Sequence, residues 1–139
     1  MRILGIDYGE ARTGIAITDA LNITAQGLET IHNNGSDKVI LKRLDEIFKK
    51  YNVDVIVVGK PINMNGTSSE RTEITEKFIH KLKCKYNKLK IETIDERLTT
   101  VAAHKTMNFL DVNKNKKRNI VDTISAVYIL ETYLNKIKN

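Results

Sequence analysis

The residues of this chain best suited to chemistry are three acids that stand where apolar segments begin or end. Asp7 ends the apolar run at residues 3–6, Glu96 follows an alternating stretch at residues 90–94, and Asp122 lies near the start of a long apolar segment. A carboxylate at the end of a buried strand is costly to desolvate, so it persists there when it is hydrated, ion-paired or bound to a cation. Whether the three acids share one site depends on the elements that position them.

Two of the three acids, Asp7 and Asp122, also have an ordinary structural interpretation. Aspartate is common in turns, so Asp7 alone could be a solvated turn residue. An acid in the first turn of a helix is favoured by the helix dipole, which would explain Asp122 without any ligand. However, helical spacing places Asp122 on one face with the apolar residues Ala126 and Ile129. A half-buried acid on that face needs a partner.

The apolar patterns predict five strands and four helices in one α/β domain that covers residues 1–139. The predicted strands cover residues 3–6, 15–17, 24–31, 54–59 and 90–94, and the predicted helices cover residues 37–51, 69–86, 100–109 and 120–137. The first two strands are short apolar runs around a glycine-containing turn, which is typical of an antiparallel hairpin.

Two of the later segments bear on the position of the acids. The run at residues 54–59 is β-branched without polar alternation, which indicates an interior strand covered on both faces. The loop that follows it is rich in turn-forming residues, and loops at such strand ends often carry function. Strand alternation also predicts that only one of Asp95 and Glu96 faces a shared site.

The charge of the chain favours a polyanionic partner such as nucleic acid. Lys and Arg number 23 against 17 Asp and Glu, for a net charge of +6 and a pI near 9.4. Part of this basicity belongs to a composition rich in Lys, Asn and Ile, so clustering is more informative than the total. The segment 111–119 holds a basic run that we expect to be a mobile loop, either merely solvated or binding phosphates next to Asp122.

Cysteine, histidine and apolar content exclude several classes of protein. The single cysteine, Cys84, cannot form an intramolecular disulfide, and with three scattered histidines the chain has no zinc-site spacing. This composition favours a reducing, cytoplasmic setting. No apolar run approaches the roughly 20 residues of a membrane span, so we expect no membrane association.

Four sequence motifs, in order, are similar to those of a known family. They are IDYGEARTGIAITD at residues 6–19, VVGKPINMNGT at 57–67, DERLTT at 95–100 and VDTISAVYILETYL at 121–134. With these motifs the chain resembles, over nearly its full length, the YqgF/RuvX family, relatives of Holliday junction resolvases that are described as pre-16S rRNA nucleases. The resemblance implies a ribonuclease H-like α/β fold, in which a mixed central β-sheet opens with a β-hairpin and carries helices on both faces.

The resemblance also implies a set of site residues. Asp7, Glu96 and Asp122 correspond to an acidic triad that holds Mg²⁺ or Mn²⁺, hard cations for which a few carboxylates and a substrate phosphate suffice. Asn63 and Arg97 belong to the family's motifs and are expected to contact nucleic acid. The basic residues Arg12, Lys114, Lys116, Lys117 and Arg118 are expected to meet its phosphates. Lys60 departs from the family, whose members often have an apolar residue there, and is expected to add a phosphate contact. Better-characterised relatives carry a further acid where this chain has Ser125, so the number of metal ions stays open.

The function implied is a metal-dependent nuclease acting on structured nucleic acid, with the 16S ribosomal RNA precursor as substrate. Two alternatives are a Holliday junction resolvase acting on DNA and a nucleic-acid-binding protein of the same fold without catalysis. Actin-like phosphotransferases share the Asp-x-Gly hairpin but close two domains around ATP, which disfavours that class here. We expect a monomer or a homodimer, and a two-fold dimer would suit paired cuts at a four-way junction.

Overall fold

The computed structural model describes residues 1–62, 66, 69–96 and 114–138, and in the last segment it describes the side chains from residue 123 onward. The strands are β1 (Arg2–Asp7), β2 (Arg12–Thr18), β3 (Ala25–His32), β4 (Val53–Lys60) and β5 (Lys90–Asp95). They form one sheet in the order β3-β2-β1-β4-β5.

The pairing of these strands confirms the mixed sheet that opens with a hairpin. β1 pairs antiparallel with β2, and β2 pairs antiparallel with β3. β4 pairs in parallel with β1 on one side and with β5 on the other, so the β-branched run is an interior strand as predicted. Because β1, β4 and β5 run in the same direction, their carboxyl ends meet at one edge of the sheet, which we call the carboxyl edge.

Three helices in the described part of the chain cover the two faces of this sheet. They are α1 (Asp37–Lys50), α2 (Glu70–Lys85) and α3 (Lys114–Lys138). α1 and α2 pack on one face around fully buried residues such as Leu44 and Phe78, whereas α3 packs on the other face through Ala126, Ile129 and Leu130. We refer to these as the α1/α2 face and the α3 face.

The start of α3 corrects two sequence-based predictions. The helix begins at Lys114 and not near residue 120, so the basic run from Lys114 to Arg118 is helical and is not a loop. The cluster of charges suggested a loop. However, lysine and arginine are good helix formers, so a polar basic segment can continue the helix that follows it. Asp122 is therefore in the third turn, beyond the reach of the helix dipole that could have explained it.

Some predictions lie outside the residues described. The predicted helix at residues 100–109, and the predicted contact residues Asn63 and Arg97, belong to this part of the chain. Within the described ranges, none of the helices combines the length and the apolar character needed to span a lipid bilayer.

Candidate active site

Asp7 lies at the carboxyl edge and faces α3. Along β1, Leu4 and Ile6 belong to the core under α1 and α2, so the alternate residues Ile3, Gly5 and Asp7 face α3. α3 packs directly on this strand, because a Cβ on Gly5 would lie only 2.6 Å from Cγ of Leu130. Asp7 is half-buried, two residues beyond that contact.

Glu96 reaches the same edge from β5, across the end of β4. In the sheet register Val58 pairs with Ile6, and Gly59 pairs with Ile94. A Cβ on Gly59 would lie 2.7 Å from Oε1 of Glu96 and 2.4 Å from Cδ1 of Ile129. The Glu96 carboxylate therefore occupies the space that any side chain at position 59 would take. Glu96, Gly59 and Asp7 lie on one face, with β4 as the single strand between the two acids.

α3 packs on the sheet near Asp122 at the level of Asp7 along the strands. Asp7 pairs with Gly14, and Gly14 pairs with Thr30, so these three residues form a row across three strands. Thr123 in α3 makes a 2.9 Å hydrogen bond between its Oγ1 and that of Thr30. Since neighbouring strands are about 4.8 Å apart, Thr30 lies about 10 Å from Asp7 along this row. The hydrogen bond to Thr30 therefore places α3, next to Asp122, over the strand that is two strands away from Asp7.

Tyr8, the residue after Asp7, fixes the end of β1 from the opposite face. Its ring stacks on Phe78 with centroids 4.2 Å apart, and its hydroxyl donates a 2.6 Å hydrogen bond to Asp37. Lys81 donates a 2.8 Å hydrogen bond to the other carboxylate oxygen of Asp37. Burial raises the pKa of Tyr8 above its usual range and the hydrogen bond to Asp37 raises it further, so the tyrosine stays neutral and keeps donating. β1 is thereby tied to both α1 and α2.

A second set of hydrogen bonds fixes the turn between β1 and β2. The buried Asn33 donates from Nδ2 to the carbonyl oxygens of Gly9 and Glu10 at 3.0 and 2.9 Å, and accepts from Thr13 at 3.1 Å. Arg12 opens β2 at this turn, and strand alternation places it on the α3 face with Gly14 and Ala16. The structure thus brings Arg12 to the same edge and face as Asp7.

Lys60 also lies at the carboxyl edge, but on the α1/α2 face of the sheet. Its Nζ lies 2.8 Å from Oε1 of Glu76 in α2. The loop after Pro61 is held at both ends by Thr72, which donates to the Pro61 carbonyl and accepts from the backbone N–H of Ser69. Lys114, Lys116, Lys117 and Arg118 lie in the first turns of α3, where the backbone alone is described.

The side chains described at this edge fit a hard divalent cation in chemical type. Asp7 and Glu96 supply carboxylate oxygens, the ligands that Mg²⁺ prefers, and the missing side chain of Gly59 lets the Glu96 carboxylate lie against β4. The side chains described include no group of three or more His, Cys, Asp or Glu placed to share a metal ion. The third acid of the predicted triad, Asp122, lies in the part of α3 described by its backbone alone.

Solved structures confirm the fold. The chain is similar to the Holliday junction resolvase of fowlpox virus, with a TM-score of 0.59 and 16% identity over 99% of both chains. It is also similar to Thermus thermophilus RuvC in complex with a Holliday junction substrate, with a TM-score of 0.61, 11% identity, and coverage of 100% of this chain and 97% of the other. These likenesses establish the ribonuclease H-like fold.

Sequence relatives extend the likeness over nearly the whole chain. A protein of Ruminiclostridium cellulolyticum named "Putative pre-16S rRNA nuclease" is 55% identical over 137 residues, which is 99% of this chain and 96% of that protein. One of the same name from Acetivibrio thermocellus is 49% identical over 134 residues, which is 96% of this chain and 95% of that protein. The family model described as RuvX, Holliday junction resolvase, matches residues 1–136, and the chain therefore belongs to the RuvX family.

Proposed function

We propose that this chain is a cytoplasmic, divalent-metal-dependent nuclease that cleaves the precursor of 16S ribosomal RNA, with Asp7, Glu96 and Asp122 as its metal-binding acids. The observation that carries the proposal is the arrangement at the carboxyl edge. Two carboxylates from strands on either side of β4 face α3 there, and Gly59 between them leaves room for the Glu96 side chain.

The chemistry of a phosphodiester bond explains why acids are needed at this edge. A bound divalent cation supplies an activated water and neutralises charge on the attacking and leaving oxygens. The part of the protein is to hold carboxylate oxygens in a fixed arrangement, which β1 and β5 do as rigid strands of one sheet. Tyr8, through Phe78 and Asp37, keeps the end of β1 from shifting.

Basic residues around the acids are suited to hold the substrate. Arg12 stands on the same face and edge as Asp7. The run from Lys114 to Arg118 precedes Asp122 along α3, so its cations meet the backbone of the nucleic acid near the acids. Arg97, which follows Glu96 in sequence, and Asn63, which follows Ile62, complete the proposed contacts.

The assignment of RNA as substrate rests on the relatives. Both proteins quoted above share 49% or more of their aligned residues with this chain and carry a name that specifies the 16S rRNA precursor. A DNA four-way junction is the second candidate, because the family description and the fowlpox virus and Thermus thermophilus structures name Holliday junctions. That substrate calls for two active sites related by two-fold symmetry.

The test compares three labelled substrates in one assay. A 16S rRNA precursor, a single-stranded RNA of unrelated sequence and a four-way DNA junction are each incubated with the protein in Mg²⁺, Mn²⁺ or chelator. We expect cleavage of the precursor in the two metals and none in chelator. Cleavage of the junction alone, by a protein that dimerises on it, would replace the RNA assignment with the DNA one, and binding without cleavage of any substrate would contradict the nuclease.

A further inference from the structure

A basic groove lies at the opposite end of the sheet from the acids. It has a volume of about 600 Å³ and lies between the last turns of α1 and α2 and the first residues of β4. Its charged lining residues are Lys49, Lys85, Lys88 and Asp45. Three cations against one acid give the described lining a net charge of +2.

The segment that contributes most of this groove's lysines carries positive charges only. From Lys77 to Lys90 the chain holds six lysines and no acid. Some of these lysines have acidic partners, since Lys81 pairs with Asp37 and Lys90 pairs with Glu92. Lys49 and Lys88 form no ion pair within 4 Å of a described acid, although Lys49 lies close enough to Asp45 to help lower the pKa of its carboxyl group.

One acid holds part of the groove in a fixed arrangement. Asp45 accepts hydrogen bonds of 2.7 Å from Lys85 and 2.8 Å from the hydroxyl of Tyr86. The Tyr86 ring packs edge-on against Phe48, with centroids 5.0 Å apart. These contacts lower the pKa of Asp45, first through Lys85 and then through Tyr86, so the carboxylate stays ionised. Both rings are partly buried against the core, and the Lys85 ammonium lies over the Tyr86 ring, 5.6 Å from its centroid. The groove is thus lined by the accessible parts of two rings, by an ordered lysine and two exposed lysines, and by Asn52 and Asn87.

Helix-dipole compensation does not account for all of these lysines. Lys49 and Lys85 lie in the last turns of their helices, where a cation is favoured by the dipole. Lys88 lies beyond the end of α2, which is capped at Tyr86, yet it lines the same groove. The helix dipole therefore leaves the position of Lys88 unexplained.

We propose that this groove is a second binding site for the RNA strand, with Lys49 and Lys88 contacting phosphates and with the rings and asparagines beside the bases. The proposal rests on the proposed function, because the RNA is the substrate held at the carboxyl edge. Lysines combined with aromatic rings are typical of single-stranded nucleic-acid sites. β4 spans the sheet between the two places, and its eight residues measure about 23 Å. A site at that distance adds affinity for a long RNA and leaves the cleavage step unchanged.

The test neutralises the two lysines without a described acidic partner. Lys49→Gln/Lys88→Gln is compared with Lys136→Gln/Lys138→Gln, which removes two exposed charges from the end of α3, on the other face of the sheet. Binding of labelled RNA is measured in chelator over a range of salt concentrations. Each lost phosphate contact lowers the slope of log K against log salt by about 0.7, so we expect the slope to fall by about 1.4 in the groove variant relative to the control.

Kinetics with two RNAs that share a cleavage site provide the second readout. For a long RNA the groove variant should raise KM with kcat unchanged, whereas for an RNA too short to reach the groove both constants should match the parent. A salt slope equal to that of the control variant would overturn the proposal. An equal loss of affinity for poly-glutamate and for RNA would also overturn it, in favour of an acidic protein partner. If the parent protein cleaves no RNA, the proposed function is contradicted. The groove is still tested in that case, because binding is measured in chelator, without cleavage.

Discussion

In the candidate active site, Glu96 and Ile129 leave no room for a side chain at position 59. Replacing Gly59 with alanine places a methyl group 2.7 Å from Oε1 of Glu96 and 2.4 Å from Cδ1 of Ile129. We expect Gly59→Ala to lower the free energy of unfolding by about 1–3 kcal/mol through overpacking. Displacement of the carboxylate should lower kcat by about 100-fold, measured with labelled RNA at saturating metal.

A double variant separates these two effects. Ile129→Val removes the Cδ1 atom, so Gly59→Ala/Ile129→Val relieves the collision with α3 and keeps the one with Glu96. Chemical unfolding should show that stability is partly recovered, while kcat stays low. If kcat recovered together with stability, the loss in Gly59→Ala would come from packing and not from Glu96.

The hydroxyl of Tyr8 provides a test of how the end of β1 is held. Tyr8→Phe removes the hydrogen bond to Asp37 and should lower the free energy of unfolding by about 1.5–3 kcal/mol at pH 8. The pKa of Tyr8 is raised in the folded state, so its contribution is complete below the unfolded pKa of about 10 and is lost as the pH rises further. The difference in stability between parent and Tyr8→Phe should therefore shrink above about pH 10. Denaturant unfolding from pH 8 to pH 11 checks this, and a constant difference would contradict it.

Part of the site could be predicted from individual residues. Asp7 and Glu96 were placed correctly at strand ends, because an apolar run that stops at an acid marks the end of a buried strand. The hydrogen bonds from Tyr8 to Asp37 and from Thr123 to Thr30 could not be predicted. They join residues 29 and 93 positions apart, and a single sequence carries no signal for such pairs.

The basic first turns of α3 are expected to add affinity for RNA without selecting its sequence. Alanine at Lys114, Lys116, Lys117 and Arg118 should weaken binding to all RNAs alike, because cations contact phosphates without reading the bases. The salt slope should fall by about 2.8–3.6 for four lost contacts. Stability should not fall, because alanine is a strong helix former and cations near a helix N-terminus oppose its dipole.

Anisotropy titrations of the quadruple variant against RNAs of different sequence give the measurement, with circular dichroism as the check on folding. A variant that keeps the parent's salt slope would exclude this part of α3 from the interface. A loss of affinity for one sequence only would assign it a role in base recognition.

The presence of each strand and helix was easier to predict from the sequence than the residues at which it begins and ends. The five strands lie within two residues of the predicted positions at nearly every end, because apolar runs and glycine-containing turns bound them. The start of α3 was missed by six residues, because a cluster of lysines and asparagines is compatible with either a loop or a solvated helix.

The register of the whole sheet relates the acids to one another. Asp7, Gly14 and Thr30 form a row, and Thr123 joins that row to α3 one residue after Asp122. The order of strands follows from the parallel pairing of β4 with both β1 and β5, which brings Glu96 to the same edge. The central claim is that this edge holds a divalent cation through Asp7 and its neighbouring acids.

Asp7→Asn tests that claim most directly, because the substitution is nearly isosteric and removes the anionic charge that a hard cation requires. Hydrolysis of labelled rRNA precursor and thermal unfolding with and without Mg²⁺ or Mn²⁺ are measured on parent and variant. We predict that the variant binds RNA but does not cleave it, melts no lower than the parent without metal, and is stabilised less than the parent when metal is added. Cleavage at the parental rate together with an unchanged metal-induced shift in Tm would contradict the account.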